Sequence, residues 1–181
     1  FALRGARVHA EPMKGTARAD EAEALGGSEK DRRELAMITD LVRNDLYAAC
    51  LPGSIVVDAP RSLVRLPYAL QTVSEVSGKL RPDTDVVDLL RALHPGGSVV
   101  GAPKHAALRL LRTLEASPRG LYCGALALWQ GDQAEAALLI RSASRPGPDN
   151  PWVYGVGGGI VFDSSAEGEW AEIGTKLGVF V

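Results

Sequence analysis

The sequence predicts an α+β fold in which a mostly antiparallel sheet is flanked by helices. Two kinds of pattern support this: stretches that alternate polar and apolar residues, as half-buried strands do, and stretches whose apolar residues recur at helical spacing. Residues 72–80 show the first pattern and residues 28–44 the second. The chain has 181 residues, 46% of them hydrophobic, which is enough for one sizeable core in one domain.

Strands are predicted where short apolar or alternating runs end at turn residues. In chain order these runs cover residues 2–9, 55–57, 63–66, 72–80, 122–129, 134–144, 152–156 and 160–162. Gly131-Asp132 is typical of a hairpin turn, so the strands before and after it should pair. Residues 15–27 are polar and poorly periodic, which predicts a loop.

Helices are predicted where apolar residues recur every three or four positions. Ser28 is a typical N-cap for a helix that runs through Asn44. Further helices are predicted over residues 85–93, 104–114 and 167–177, the last ending at Gly178.

Composition excludes several classes of function. The formal net charge of −2 gives no electrostatic footprint for nucleic acid or an anionic membrane. No apolar run approaches the roughly 20 residues of a membrane span, and Arg4 and Arg7 interrupt any signal peptide at the start. Cys50 and Cys123 lack metal-ligand spacing, so we expect reduced core cysteines in a cytoplasmic protein.

Acidic residues on two predicted helices form a candidate metal site. Glu169, Glu172 and Lys176 share one face of the last helix, and Asp31 and Glu34 share a face of the first long one. Carboxylates that converge from two helices suit a hard cation such as Mg²⁺, which takes one or two of them plus water and an anionic ligand. The alternative is that both sets are solvated helix faces.

Other candidate sites are glycine-rich or cationic. Gly157-Gly158-Gly159 allows unusual backbone conformations and close approach to an anion, although a tight hairpin explains it equally well. Residues 96–101 precede a helix start, which is a better anion site. Arg141 lies in an apolar run and needs an anionic partner, either structural or a ligand carboxylate. Lys14 is a solvated loop lysine unless burial or a neighbouring cation makes it a nucleophile.

Four blocks of sequence resemble the chorismate-binding enzymes. They are Pro-Met-Lys-Gly-Thr at residues 12–16, the helix segment 28–46, the glycine-rich stretch 95–104 and Gly-Gly-Gly-Ile-Val at residues 157–161, in the family's order. The resemblance implies the sandwich fold of anthranilate and aminodeoxychorismate synthase component I. It also implies that residues 1–181 are the C-terminal portion of a chorismate-binding domain whose N-terminal half is absent. The family's proton-donating glutamate would precede Phe1, so we expect this polypeptide alone to be inactive.

The lysine in the first block is similar to that of the aminodeoxychorismate synthase branch of the family. The resemblance then implies amination of chorismate to 4-amino-4-deoxychorismate, with Lys14 as nucleophile, Mg²⁺ as cofactor and ammonia supplied by a glutamine amidotransferase subunit or domain. Alternatives are anthranilate or isochorismate formation, for which alanine at position 14 would be more usual, and a non-catalytic fragment that binds a partner. A free-standing metal-binding domain is a third.

The resemblance also assigns roles to individual residues. Glu34 and Glu172 correspond to magnesium ligands, supported by Asp31 and Glu169. The positions similar to substrate-binding groups are Thr16, Ser98, Tyr122, Arg141, Gly157, Gly159 and Lys176.

Two positions depart from the family pattern. Leu70 and Gln71 stand where a histidine is expected, and Val100 replaces a threonine.

Overall fold

An antiparallel sheet is the centre of the computed structural model, which describes residues 1–17, 22–66, 70–162 and 164–177. The strands are β1 (Ala2–Arg4), β2 (Arg7–Ala10), β3 (Met13–Ala17), β4 (Val56–Arg65), β5 (Leu70–Lys79), β6 (Ala125–Gln130), β7 (Gln133–Leu138), β8 (Ala143–Ser144) and β9 (Val153–Tyr154). In the described residues the main sheet has seven strands in the order β3-β5-β2-β1-β7-β6, with β4 also paired to β5. β8 and β9 form a separate pair.

The helices are α1 (Ala22–Gly27), α2 (Glu29–Leu46), α3 (Val86–Leu93), α4 (Gly97–Val100), α5 (Lys104–Leu114) and α6 (Ala166–Leu177). Every pairing between the named strands is antiparallel, which together with these helices confirms the predicted fold class. Ser28 caps α2 as expected, because its hydroxyl accepts a hydrogen bond from the Asp31 amide at 3.2 Å.

The core lies between α2 and β5, the most buried strand. β5 pairs with β4 on one edge and with β2 and β3 in succession on the other, so almost every one of its side chains is inside. The main cluster of buried residues is Leu3, Val8, Leu46, Ala49, Cys50, Val76, Leu80, Leu89 and Ala134. This packing fixes β3 and α2 against each other, which matters because both carry candidate site residues.

The first half of the chain contains three elements that the sequence patterns did not predict. Residues 2–9 form a hairpin rather than one strand, because Gly5 takes a φ of +58° and reverses the chain. Part of the predicted loop 15–27 belongs to β3 and α1. The predicted strands 55–57 and 63–66 are one strand, β4, which tolerates Pro60 because its pairing with β5 shifts register on either side of Ala59.

The later elements agree in kind and differ in extent. α5 has the predicted bounds, α3 and α6 start within one residue of them, and Gly131 turns the predicted hairpin between β6 and β7 with a φ of +60°. The predicted strand 134–144 breaks after Leu138, and residues 160–162 are not a strand. Gly178, the expected end of α6, lies outside the described residues. Both cysteines are buried and free, as expected.

Several large apolar side chains on β6 and near α6 are exposed. β6 pairs with β7 alone among the described strands, and its Leu126 and Leu128, which share one side of the strand, are 59% and 72% exposed. Phe162 is fully exposed, and Trp170 on α6 is 75% exposed. We call the side of β6 that carries Leu126 and Leu128 the open face. None of the helices described is long and apolar enough to cross a membrane.

Candidate active site

Lys14 lies on β3 and points at the first turns of α2. Its Nζ is 3.0 Å from Oε2 of Glu34, and the two side chains are 36% and 18% exposed. Lys14 is therefore not the solvated loop lysine that local sequence suggested. It occupies a strand, its carbonyl oxygen accepts a hydrogen bond from the Thr72 hydroxyl, and its ammonium is held by a mostly buried carboxylate. Lys30 adds a second, more distant cation, 4.0 Å from Oε1 of Glu34.

Gly15 allows β3 to approach α2 closely. It has a φ of +81°, and a register shift in the pairing with β5 lies between Lys14 and Thr16. A Cβ at this position would lie 3.1 Å from the Asp31 carboxyl group and from Leu25 Cδ1. A side chain here would thus be strained both by its backbone conformation and by crowding. The glycine brings Lys14, Asp31 and Glu34 together.

Lys176 on α6 connects this helix to the glycine-rich segment 155–159. Its Nζ is 2.7 Å from Oε1 of Glu172 and donates a hydrogen bond to the Gly157 carbonyl oxygen at 2.8 Å. The hydrogen bond from Lys176 lowers the pKa of Glu172, and the charges of Lys14 and Lys30 lower it further. These last two contributions show that the carboxylate of α6 lies within electrostatic range of the Lys14–Glu34 pair.

Glu169 is held beneath the same glycine-rich segment with one oxygen left free. Its Oε1 accepts a hydrogen bond from the Ser164 hydroxyl at 2.5 Å, whereas its Oε2 is buried and has no hydrogen-bond partner among the residues that the structure describes. A Cβ at Gly158 would come within 2.6 Å of that Oε2. A buried carboxylate oxygen without a partner is costly, so this atom suits a cation or a donor supplied by a ligand.

Tyr122 packs against Gly155 and Gly157 of the same segment. A Cβ at Gly155 would lie 2.4 Å from Cγ of the ring, and one at Gly157 would lie 2.8 Å from its hydroxyl oxygen. Burial raises the pKa of Tyr122 to about 12, with a further contribution from Cys123. The phenol is therefore neutral at physiological pH and available as a hydrogen-bond donor.

The glycines act differently from the prediction. None of residues 157–159 has a φ in the left-handed region, so conformational freedom is not what selects glycine there. Glycine is needed there because other side chains approach closely: Gly157 leaves space for Tyr122 and Gly158 leaves space for Glu169. Gly159 has nothing within 4 Å of where its Cβ would stand.

Two predicted site residues, Arg141 and Ser98, stay apart from this group. Arg141 follows β7 in a bend rather than lying in a strand, with a φ of +52° and an exposed side chain that makes no ion pair with a described residue. The placement of Arg141 in a strand was therefore wrong, and no described residue is its structural partner, whereas a ligand carboxylate as its partner stays a prediction. Ser98 lies exposed on α4, and Thr16 is paired through its backbone with Gln71, while its side chain is outside the description.

The carboxylates fit Mg²⁺ in chemistry. Asp31, Glu34, Glu169 and Glu172 offer hard oxygen donors, and the unpartnered Oε2 of Glu169 is an open ligand position. Within the described ranges, no three side chains of metal-ligating type already form a cluster. Lys14 and Lys176 neutralise Glu34 and Glu172. The arrangement thus suits an ion that takes few protein ligands and completes its shell with water and an anionic ligand.

Sequence reasoning missed an ion pair that holds this region together. Lys104, at the start of α5, lies 2.7 Å from Oδ2 of Asp45 near the end of α2, and the side chains are 22% and 11% exposed. Burial raises the pKa of Asp45, an effect that the hydrogen bond and charge of Lys104 oppose. The pair fixes α5, and α4 just before it, to the helix that carries Glu34. Asp45 lies in the helix segment 28–46 and Lys104 in the glycine-rich stretch 95–104, but no local sequence signal pairs charges this far apart.

Comparisons with known proteins define the class. The chorismate binding enzyme family matches residues 1–181, the whole chain. Anthranilate synthase component 1 of Aeropyrum pernix is 37% identical over 97% of this chain and 42% of its own length. The same enzyme of Saccharomyces cerevisiae is 36% identical over 94% of this chain and 35% of its own length.

Solved structures agree with the fold. Anthranilate synthase component I from Streptococcus pneumoniae superposes with a TM-score of 0.79 at 30% identity, covering 97% of this chain and 40% of that one. The menaquinone-specific isochorismate synthase from Escherichia coli superposes with a TM-score of 0.80 at 24% identity, which supports the fold alone.

The fold and the matches define the family of this chain. The chain belongs to the chorismate binding enzyme family. It spans about two fifths of the length of these relatives. The curated relatives compared here are anthranilate synthases, so the aminodeoxychorismate branch suggested by Lys14 is not confirmed by them.

Proposed function

We propose that this chain is the C-terminal portion of a chorismate-aminating domain that makes 4-amino-4-deoxychorismate. The family match supports chorismate as substrate. The observation that carries the product is the position of Lys14 on β3, whose amine lies 3.0 Å from the mostly buried carboxylate of Glu34 and within electrostatic range of Glu172. An amine held beside carboxylates that bind the substrate's cation is placed to attack the substrate ring.

The proposed reaction proceeds in two displacements. The neutral amine of Lys14 forms a bond to C2 of chorismate, both double bonds of the ring diene shift, and the C4 hydroxyl leaves with a proton as water. Ammonia then bonds to C4, both double bonds return, and the C2–nitrogen bond to Lys14 breaks. The lysine leaves as an amine that takes up the proton the added ammonia loses. Glu34 is positioned to accept the proton that Lys14 must lose before attack. The leaving hydroxide needs a proton donor, and we propose that this donor lies in a part of the domain outside this chain.

Charge recognition follows from the cations and donors around residues 155–159. Chorismate is a dianion, so Lys176 at Gly157 and the neutral phenol of Tyr122 supply charge or hydrogen bonds to its carboxylates there. Arg141, which lies apart from these groups in the structure, is proposed as a further cation for a substrate carboxylate. Arg141 is free of other partners among the described residues. Ser98, Thr16 and the backbone of Gly157 and Gly159 complete the proposed pocket.

We also propose that Mg²⁺ is bound by Glu34 and Glu172, with Asp31 and Glu169 supporting it. A bound Mg²⁺ anchors and neutralises the ring carboxylate of the substrate. The unpartnered Oε2 of Glu169 and the hard oxygen donors on α2 and α6 support this assignment. Since Lys14 and Lys176 occupy the same carboxylates in the structure, metal and ammonium compete for them.

Anthranilate formation is the second candidate. It is favoured by the curated relatives, whose names are anthranilate synthase component 1. The comparisons support this product better than the 4-amino product, while Lys14 supports the latter. Both reactions consume chorismate and ammonia, so product analysis separates them.

The open face supports the proposal that further parts of the domain pack here. Exposed apolar side chains on an edge strand are costly in water and invite pairing. β6 carries Leu126 and Leu128, 59% and 72% exposed. The relatives are more than twice as long as this chain, which is enough to provide a covering layer. We propose that a glutamine amidotransferase subunit or domain supplies ammonia, and that the protein acts in the cytoplasm, where its two free thiols stay reduced.

The test is product formation by the complete protein with chorismate and ammonium salt. Lys14→Ala should lower formation of 4-amino-4-deoxychorismate by at least about 100-fold, because the covalent route is lost. Lys30→Ala is the matched control, since it removes another cation near Glu34 from an exposed site. Equal rates in the two variants would refute Lys14 as nucleophile. Anthranilate as the sole product, unaffected by Lys14→Ala, would establish the second candidate.

The metal assignment has its own test. Glu34→Gln and Glu172→Gln should each weaken Mg²⁺-dependent chorismate binding by about tenfold or more, because each removes a charged oxygen ligand. Glu29→Gln is the control, as this α2 residue is exposed and pairs only with Arg32 in the described contacts. Titration of Mg²⁺ at fixed chorismate, followed by calorimetry, measures the effect. Identical isotherms for all three variants would contradict the assignment.

A further inference from the structure

Arg119 connects two segments that flank the candidate site. Its Nε donates to both carboxylate oxygens of Glu115, at 3.1 and 3.0 Å, and its Nη2 donates to Oε1 at 2.6 Å. Its Nη1 donates to the carbonyl oxygen of Val99 at 2.9 Å. Glu115 ends α5, and Val99 lies in α4 beside Ser98. One guanidinium thus joins α4 to the end of the following helix.

Arg119 also contacts the tyrosine of the site. Its Cζ lies 6.0 Å from the centroid of the Tyr122 ring, and its backbone carbonyl accepts a hydrogen bond from the Tyr122 amide at 3.1 Å. The next turn of chain is fixed too, because the amide of Cys123 donates to the Leu139 carbonyl at 2.9 Å. Cys123 takes a φ of +62°, which is unusual for a residue with a side chain.

We propose that Arg119 is a positioning residue for substrate binding, which sets the placement of Tyr122 relative to α4 and Ser98. The inference rests on the proposed function, since Tyr122 and Ser98 are substrate-binding groups only if chorismate binds there. Arg119 itself is not a substrate ligand. Its side chain is only 25% exposed, and the Glu115 carboxylate neutralises it.

The geometry requires arginine rather than any cation. A guanidinium has a rigid fork of donors and can serve Glu115, Val99 and the Tyr122 ring in three directions at once. A lysine ammonium reaches one or two of these groups. Without the Val99 hydrogen bond, α4 keeps its packing of Gly97 on Leu41 but loses its connection to the turn at Tyr122.

The experiment combines kinetics with amide hydrogen exchange on the complete protein. Arg119→Met should raise the KM for chorismate about tenfold and change kcat by less than about threefold, because substrate-orienting contacts are weakened while the reacting groups stay. Arg119→Lys should recover part of the KM. In both variants the amides of residues 97–101 and 120–124 should exchange faster while those of α2 do not. Arg112→Met, an exposed arginine in the last turn of α5, is the matched control and should change none of these quantities.

Each outcome decides one of the two claims. If the wild-type protein does not consume chorismate, the proposed function fails, and exchange alone reports whether Arg119 couples the two segments. If wild type is active but exchange in both segments is unchanged in Arg119→Met, the inference is overturned. It is also overturned if exchange in both segments rises while KM stays at the wild-type value. A general loss of stability, in which the amides of α2 also exchange faster and kcat falls together with the rise in KM, would overturn it as well.

Discussion

Replacing Gly155 with alanine tests the packing of the glycine-rich segment on Tyr122. The added methyl group would lie 2.4 Å from Cγ, 2.6 Å from Cδ2 and 2.7 Å from Cβ of Tyr122. Carbon atoms normally stay about 3.5 Å apart or more, so the ring or the backbone must move by about 1 Å. Neither moves easily, because Tyr122 donates its amide to Arg119 and Gly155 directly follows β9. Overpacking of this kind costs about 1–3 kcal/mol.

Urea unfolding followed by circular dichroism measures this cost. Gly155→Ala should lower the urea midpoint without changing the slope of the transition. Gly174→Ala should raise the free energy of unfolding by up to about 1 kcal/mol, because Gly174 lies within α6 with open space around its Cβ position. Combining Gly155→Ala with Tyr122→Ala should cost less than the sum of the two, since the clash needs the ring. A Gly155→Ala protein as stable as wild type, or strict additivity with Tyr122→Ala, would refute the packing argument.

Two further predictions concern buried polar groups. Lys104→Met should destabilise the protein by about 2–4 kcal/mol, because Asp45 keeps its buried charge without a partner. Combining Asp45→Asn with Lys104→Met should cost less, because the unpaired charge is then removed. Equal urea midpoints for wild type and Lys104→Met would contradict this. The phenol of Tyr122 should ionise near pH 12, detected as a phenolate absorbance step that Tyr122→Phe removes. Since burial raises the pKa above the ordinary value of about 10, its contribution to stability is complete below that pH and is lost as pH rises through 12. A Tyr122 step at pH 10 would show that the ring is solvated.

The helices were predictable because their signals are local. Apolar residues at helical spacing lie within the segment itself, and this was enough for α3 and α5, while α2 also begins after the recognisable cap Ser28. β5 was predictable as a strand because its alternation is uninterrupted, but the expectation that it is half-buried was wrong, since its polar Thr72, Ser74 and Ser77 are buried as well. β4 was not predictable as one strand, because Pro60 punctuates its sequence, and only its pairing with β5, with register shifts around the proline, shows that the strand continues. The hairpin at Gly5 was missed because the apolar alternation runs through the turn.

The candidate site was predictable to the extent that its residues lie in motifs, while the contacts between them were not. Lys14 and Glu34 both stood in recognised blocks, but their ion pair depends on a positive φ at Gly15 and on β3 packing against α2. Arg141 was misjudged because an apolar neighbourhood in sequence was taken for a strand. The Asp45–Lys104 ion pair and the Arg119–Val99 hydrogen bond join residues far apart in sequence, and tertiary packing determines such partners.

The glycine-rich segment is best understood as a surface against which side chains are held. Gly155 faces the rigid base of the Tyr122 ring, Gly157 faces its hydroxyl, and Gly158 faces the end of Glu169. The tolerance for a methyl group should therefore differ along the segment: least at Gly155, where the opposing ring is fixed near its backbone, and greater where the tip of a side chain can yield. Lys176 binds the same segment through the Gly157 carbonyl and holds Glu172 with the same ammonium. A ligand carboxylate that binds this ammonium would share it with Glu172 and the Gly157 carbonyl oxygen or displace one of them, so Lys176 connects the charge on α6 to the segment that packs against Tyr122.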